Sequence, residues 1–124
     1  MQPIDRDAVQ SKLKQYLNRD VYLHLETTNG AYAAHRFGQQ MAVCAYIRNG
    51  KVQFHRAQIE GDKPYRVGLK MEDGWIFAQG LTDFEVDEHG RLLLAGHDDE
   101  GRLAVALQLS ETPFPMSVID EEEA

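Results

Sequence analysis

Tyr65-Arg66-Val67-Gly68-Leu69-Lys70-Met71-Glu72-Asp73-Gly74-Trp75-Ile76-Phe77-Ala78-Gln79-Gly80-Leu81 (residues 65–81) decides the fold. Two short runs, Tyr65–Met71 and Trp75–Leu81, flank Asp73-Gly74. An Asp-Gly pair between such runs marks a hairpin, because both residues accept the positive φ of a tight turn. The same pattern repeats outward in both directions. Upstream, Val21–Glu26 alternates with period two and runs into Asn29-Gly30, while Asn49-Gly50 is expected to join Met41–Arg48 to Lys51–Ile59. Gly61-Asp62-Lys63-Pro64 supplies a longer turn. Downstream, Asp87-Glu88-His89-Gly90 and Asp98-Asp99-Glu100-Gly101 bound Arg91–His97 and Arg102–Ser110, with a short Phe84–Val86 before them. Consecutive hairpins without a crossover helix mean an antiparallel meander. About eight or nine strands in one small domain are expected to curl into a barrel or a two-layer sheet.

One segment carries a helical period. Between Asp5 and Asn18 the apolar residues fall at Val9, Leu13, Tyr16 and Leu17, the spacing of a single face, with Asp5 or Asp7 available as cap. This amphipathic N-terminal helix is expected to lie on the sheet and cover an open end or edge. The chain, 124 residues and 14.1 kDa, fits one β-rich domain over residues 1–114 and an acidic C-terminal tail over 115–124. Pro113 and Pro115 keep that tail out of a ladder, so it is read as laid on the surface or loose in solvent.

Composition sets aside several classes. Apolar residues at 43% and charged residues at 27% are those of a folded domain, not of a disordered chain, a collagen or a coiled-coil rod. No apolar run approaches the roughly 18 residues a membrane span needs, so no membrane association is expected. The single Cys44 excludes an intramolecular disulfide and a paired-cysteine zinc finger. The N-terminus lacks the basic and apolar regions of a secretory signal, and a reduced, cytoplasmic location is the simplest expectation.

The net charge of −7 is unevenly distributed. Residues 1–30 balance, residues 31–71 carry +5, and residues 72–124 carry −12, much of it in Asp98-Asp99-Glu100 and Asp120-Glu121-Glu122-Glu123. An acidic chain is a poor nucleic-acid binder, because that affinity rests on neutralising phosphates. The positive middle is suited to a small anion or an acidic partner, or its charges simply pair and face water. Arg66 and Lys70, two strand steps apart on one face around Gly68, are the candidate anion-binding residues.

Familiar catalytic signatures are missing. There is no glycine-rich phosphate cradle, and His24-Leu25-Glu26 has no downstream Pro-Cys-x-x-Cys to complete a zinc deaminase pattern. Ser11, Ser110 and Ser117 are the only serines, none in a nucleophile elbow. What remains comes from register. A two-residue turn at Asn29-Gly30 would set His24 opposite His35 with Glu26 two residues along, a plausible ligand set for zinc or a similar divalent metal. The same arithmetic at Asn49-Gly50 sets Cys44 opposite His55 beside Tyr46. Cys44, Tyr46, His55 and His97 are therefore candidate pocket residues, His55 and His97 also as further ligands. Against this stands half-buried sheet packing with hydrogen-bonded ring nitrogens. Trp75 is read as a core or turn anchor rather than a stacking platform.

His24-Leu25-Glu26-Thr27-Thr28, Ala45-Tyr46-Ile47-Arg48-Asn49, Pro64-Tyr65-Arg66-Val67-Gly68-Leu69-Lys70, Gly74-Trp75-Ile76 and Ala95-Gly96-His97 together resemble the YojF-like family of small Bacillus-type proteins of unknown function. The resemblance spans roughly residues 4–114 and leaves out the acidic tail. It implies no catalytic residues. Members are often encoded beside a zinc-dependent deacetylase that acts on an N-acetylglucosamine conjugate in low-molecular-weight thiol synthesis, which implies an accessory role and a deacetylase partner. The sequence thus points first to a non-catalytic binding or accessory domain, expected as a homodimer. The rival is a metal-dependent, hydrolase-like enzyme with His24, Glu26 and His35 as ligands and Glu26 or Tyr46 moving the proton.

Overall fold

The computed structural model describes residues 1–27 and 45–116. The helix α1, Arg6–Gln15, starts where the cap was expected: the Asp5 carboxylate accepts from the Ala8 N–H at 3.2 Å. Its stripe of Val9 and Leu13, continued by Tyr16 just past its end, is fully buried. The strands are β1 (Gln2–Pro3), β2 (Val21–Thr27), β3 (Ala45–Val52), β4 (Arg56–Gly61), β5 (Tyr65–Lys70), β6 (Trp75–Leu81), β7 (Asp83–Val86), β8 (Leu92–His97) and β9 (Leu103–Ser110).

These strands form two antiparallel sheets rather than a closed barrel: β1-β7-β8-β9-β2-β3 and β4-β5-β6. Nor is the chain one continuous meander. β4–β6 and β7–β9 are meanders, but β2 lies beside β9, with His24 opposite Gln108. That pairing buries Leu23 against Leu109 and leaves both edges of β2 occupied, by β9 and β3. The ladder position that a hairpin at Asn29-Gly30 would give His35 opposite His24 is therefore taken; Asn29-Gly30 and His35 themselves lie outside the described residues.

Asn49-Gly50 is not a turn either. β3 runs straight through it, and the register steps from Leu23–Gly50 to Leu25–Ile47. Three residues of β3 thus span two of β2, which is a β-bulge, with Asn49 in the left-handed region at φ 60°. Asn tolerates that region better than most residues, so one dipeptide serves equally as turn or bulge. The turn that would set Cys44 opposite His55 is therefore absent; Cys44 itself lies outside the described residues. The β5–β6 turn also centres one residue early, on Glu72-Asp73, closed by Met71 N–H to Gly74 O at 2.7 Å. The Asp87 and Asp98 turns form as read, each carboxylate accepting from the N–H four residues on.

The core lies between the sheets and under the helix. Leu23, Leu92, Leu94, Leu107 and Leu109 face Ile59, Val67, Leu69 and Leu81, closed at one side by Phe54 and the α1 stripe. Tyr16 is buried with its hydroxyl donating toward Leu109 O and Gly90 O (3.1 and 3.2 Å), and burial pushes its pKa up to about 12. The helix does cover an edge. The Gln10 amide donates to Ala57 O (2.9 Å) and accepts from Ile59 N–H (3.0 Å), satisfying the free side of β4 as a neighbouring strand would.

Candidate functional site

Two clusters merit description, one on each outer face. On the six-stranded sheet, β2 turns Tyr22, His24 and Glu26 away from the core, and the chain after β9 returns across them. Phe114 is buried there, and Asn49 holds its backbone from both sides: Oδ1 accepts from Phe114 N–H at 2.7 Å, and Nδ2 donates to Phe114 O at 2.8 Å. Arg48 donates to Pro115 O from Nε (3.0 Å) and from its second terminal nitrogen (2.6 Å). Its guanidinium also lies 4.8 Å from the centre of the Phe114 ring, with Arg91 at 5.5 Å.

His24, 5% exposed, sits beneath this strap. Its Nε2 is 2.9 Å from Glu26 Oε1, and its Nδ1 is 3.4 Å from the Arg48 guanidinium. Arginine only donates, so Nδ1 is the acceptor and Nε2–H donates to Glu26, which fixes the neutral tautomer. Tyr46 meets the ring edge-on at 5.2 Å while remaining 61% exposed. The structure thus brings His24, Glu26 and Tyr46 together, with both ring nitrogens of His24 engaged and a cation against one of them. A metal ion at Nδ1 would have to displace Arg48 and bear its charge. Among the described residues no three His, Cys, Asp or Glu side chains converge on a common point.

The remaining pocket candidates are dispersed. His55 is exposed on the β3–β4 connection, its N–H bonded to Lys70 O at 3.0 Å. His97 ends β8 in a groove of about 770 Å³ that Tyr65 and Thr27 also line. Its Nδ1 is 3.3 Å from Asp83 Oδ1. The Thr82 hydroxyl, 2.6 Å from the same oxygen, is the first of the contacts that hold the Asp83 carboxyl below its ordinary pKa, His97 adding to it.

The second cluster covers the three-stranded sheet. Its outward rows are Arg56–Lys70–Trp75, Gln58–Gly68–Phe77 and Glu60–Arg66–Gln79. Arg66 and Lys70 share one face as read from the sequence; Arg66 is bound to Glu60 at 2.9 Å. Trp75 is no core anchor. It is 42% exposed and stacks on Phe77, itself 48% exposed, with ring centres 5.3 Å apart and planes within 8°. Arg56 and Lys70 lie 5.9 and 5.7 Å from the Trp75 ring, and Arg66 lies 5.3 Å from Phe77. Gly68 is the floor: a Cβ there would come within 2.9 Å of the Phe77 ring, so the missing side chain is what lets the aromatic pair lean across β5. Arg56 and Lys70 are direct cross-strand partners with like charge, and neither has a carboxylate partner among the described residues. Like charges so placed are unfavourable unless something offsets them.

With both faces described, comparison with known proteins adds the family. Residues 3–114 match the profile described as "Protein of unknown function (DUF1806)". The chain belongs to this family. It is 56% identical over 114 residues, 92% of this chain and 98% of the relative, to an uncharacterized protein YojF of Bacillus subtilis (strain 168). It is also similar to the crystal structure of the Bacillus subtilis YojF protein, with a TM-score of 0.75 and 51% identity over 91% of this chain and 95% of that one.

The DUF1806 match includes both clusters and stops at Phe114, the residue that Asn49 clamps. Sequence reading missed Arg48, Asn49 and Phe114 as members of the first cluster, because their contacts join positions 65 or more residues apart. The second was within reach. Arg66, Gly68 and Lys70 alternate with Val67 and Leu69, and that phase assigns Trp75 and Phe77 to the cationic face opposite Ile76 and Ala78.

Proposed function

We propose that this DUF1806 chain is a non-catalytic binding protein whose partner docks on the face of Arg56, Lys70, Trp75 and Phe77. One observation carries the reading: this face presents an exposed aromatic pair beside two cations that have no carboxylate partner among the described residues, whereas His24 is already engaged by Glu26 and by Arg48, which holds the C-terminal strap. Exposed aromatics and arginine are the residues that interfaces favour. Among the described residues Trp75, Arg56 and Lys70 lie outside the groove that Phe77 helps to line, on an open sheet face that suits a macromolecular contact. The resemblance to YojF-like proteins supplies the setting, an accessory role beside a thiol-pathway deacetylase, and the cytoplasmic location and homodimer expected from the sequence complete the reading.

The test is titration of the neighbouring zinc-dependent deacetylase with the full chain. Wild-type protein is expected to bind, and Arg56→Glu/Lys70→Glu to bind at least about tenfold more weakly, as loss of two interfacial charges predicts. Equal binding by the two proteins overturns the assignment of the face. Substrate turnover by the isolated chain overturns the non-catalytic reading.

A further inference from the structure

We propose that the face of Arg56, Lys70, Trp75 and Phe77 receives the chain's own acidic C-terminal segment, residues 117–124, which lies outside the described residues. The inference rests on the reading of this face as a binding surface and gives it a competitor within the same chain.

Chemistry is the first argument. Arg56 and Lys70 stand opposite each other without an acidic partner among the described residues, flanking a half-exposed Trp75. The segment reads Ser117-Val118-Ile119-Asp120-Glu121-Glu122-Glu123-Ala124, two apolar residues followed by four acids. Val118 and Ile119 lie in the stretch that leaves Asn49, and the carboxylates that follow match the cations of this face. A nucleic acid fits the stacking rings less well, because the chain as a whole carries −7 and repels a polyanion.

Reach is the second argument. Met116, the last described residue, is held at Asn49, its Sδ 3.0 Å from Asn49 Nδ2. Asn49 and Arg56 are seven residues apart, so they are separated by at most about 25 Å. Met116 and Glu123 are also seven residues apart, and an extended segment leaving Asn49 covers that span. Tethering holds the segment at an effective concentration of order millimolar, so weak individual ion pairs suffice.

Trp75 is the only tryptophan, so its fluorescence reports this face alone. The experiment compares acrylamide quenching in full-length wild type and in full-length Asp120→Asn/Glu121→Gln/Glu122→Gln/Glu123→Gln, which alters no described residue. At low salt the wild-type quenching constant is expected to be about half that of the variant. About 1 M salt, where the screening length falls to about 3 Å, is expected to bring the two together. Arg56→Ala/Lys70→Ala with the native tail is expected to quench like the neutralised variant.

Equal quenching in wild type and neutralised variant overturns the proposal. Protection that grows with protein concentration overturns it in favour of a second copy. Saturable quenching by oligothymidylate at physiological salt overturns it in favour of nucleic acid. The deacetylase titration is repeated on the neutralised variant. Retained partner binding without tail protection sinks this inference alone, and tail protection without partner binding sinks the partner reading alone.

Discussion

Gly96→Ala is expected to be the most damaging small substitution in the chain. The two sheets approach each other through backbone at this point. A Cβ on Gly96 would overlap the Gly80 carbonyl oxygen and come within 2.7 Å of Val105 Cγ1. A flexible side chain could yield, but the first obstacle is the backbone of β6, whose Gly80 already sits at φ 79°. Relief requires moving β6 away from β8, which opens the layer that buries Leu81, Leu94 and Val105. Overpacking a closed interior costs roughly 1–3 kcal/mol, and a backbone obstacle belongs at the upper end. For a domain of this size, about 3 kcal/mol lowers Tm by roughly 10 °C. Thermal unfolding followed by circular dichroism measures it, with Gly74→Ala as control, because a Cβ at Gly74 meets nothing within 4 Å. Similar melting of the two variants would mean that the sheets do not meet at Gly96.

Asn49→Ala is expected to cost about 2–4 kcal/mol, through two separable effects. Alanine at φ 60° loses roughly 1–2 kcal/mol to left-handed strain. Removing the amide also breaks both bonds to the Phe114 backbone, worth roughly 1 kcal/mol each. Asn49→Gly keeps the backbone at ease and loses only the clamp, so it is expected to fall about midway between wild type and alanine in urea unfolding. Both variants are expected to expose Phe114 and speed proteolytic cleavage near it. If Asn49→Gly unfolds like wild type and resists the protease equally, Asn49 does not hold the strap.

The same position shows what the sequence made legible. The β5–β6 hairpin and α1 follow from neighbours in the chain, a turn dipeptide and an aspartate cap, and the structure forms both. Asn49-Gly50 carries a local signal as strong as Asp73-Gly74 but serves as a bulge. Whether a left-handed residue reverses a strand or kinks it depends on what lies alongside, and β2 alongside β3 is not a local fact. The pairing of β2 with β9 joins residues about 80 positions apart, so no turn rule anticipates it. His24 and Glu26 share the outward face of β2 by its period-two alternation, but the register that singles them out rests on a hairpin at Asn29-Gly30, outside the described residues, and Arg48 and the strap come from distant segments. Trp75 was misread because an aromatic side chain was assumed to point inward; the phase of Val67 and Leu69 placed it outward.

The most direct measurement of the central claim is the native mass of the untagged full-length protein at neutral pH. His24 is engaged by Glu26 and by the Arg48 that holds the strap, and binding is placed on the opposite sheet. The expected native mass is that of the polypeptide dimer without stoichiometric metal, unchanged but for the substitution itself in His24→Ala. A bound divalent ion in wild type that disappears in His24→Ala would contradict it, making the His24–Glu26 pair a metal site and the chain a candidate metalloenzyme.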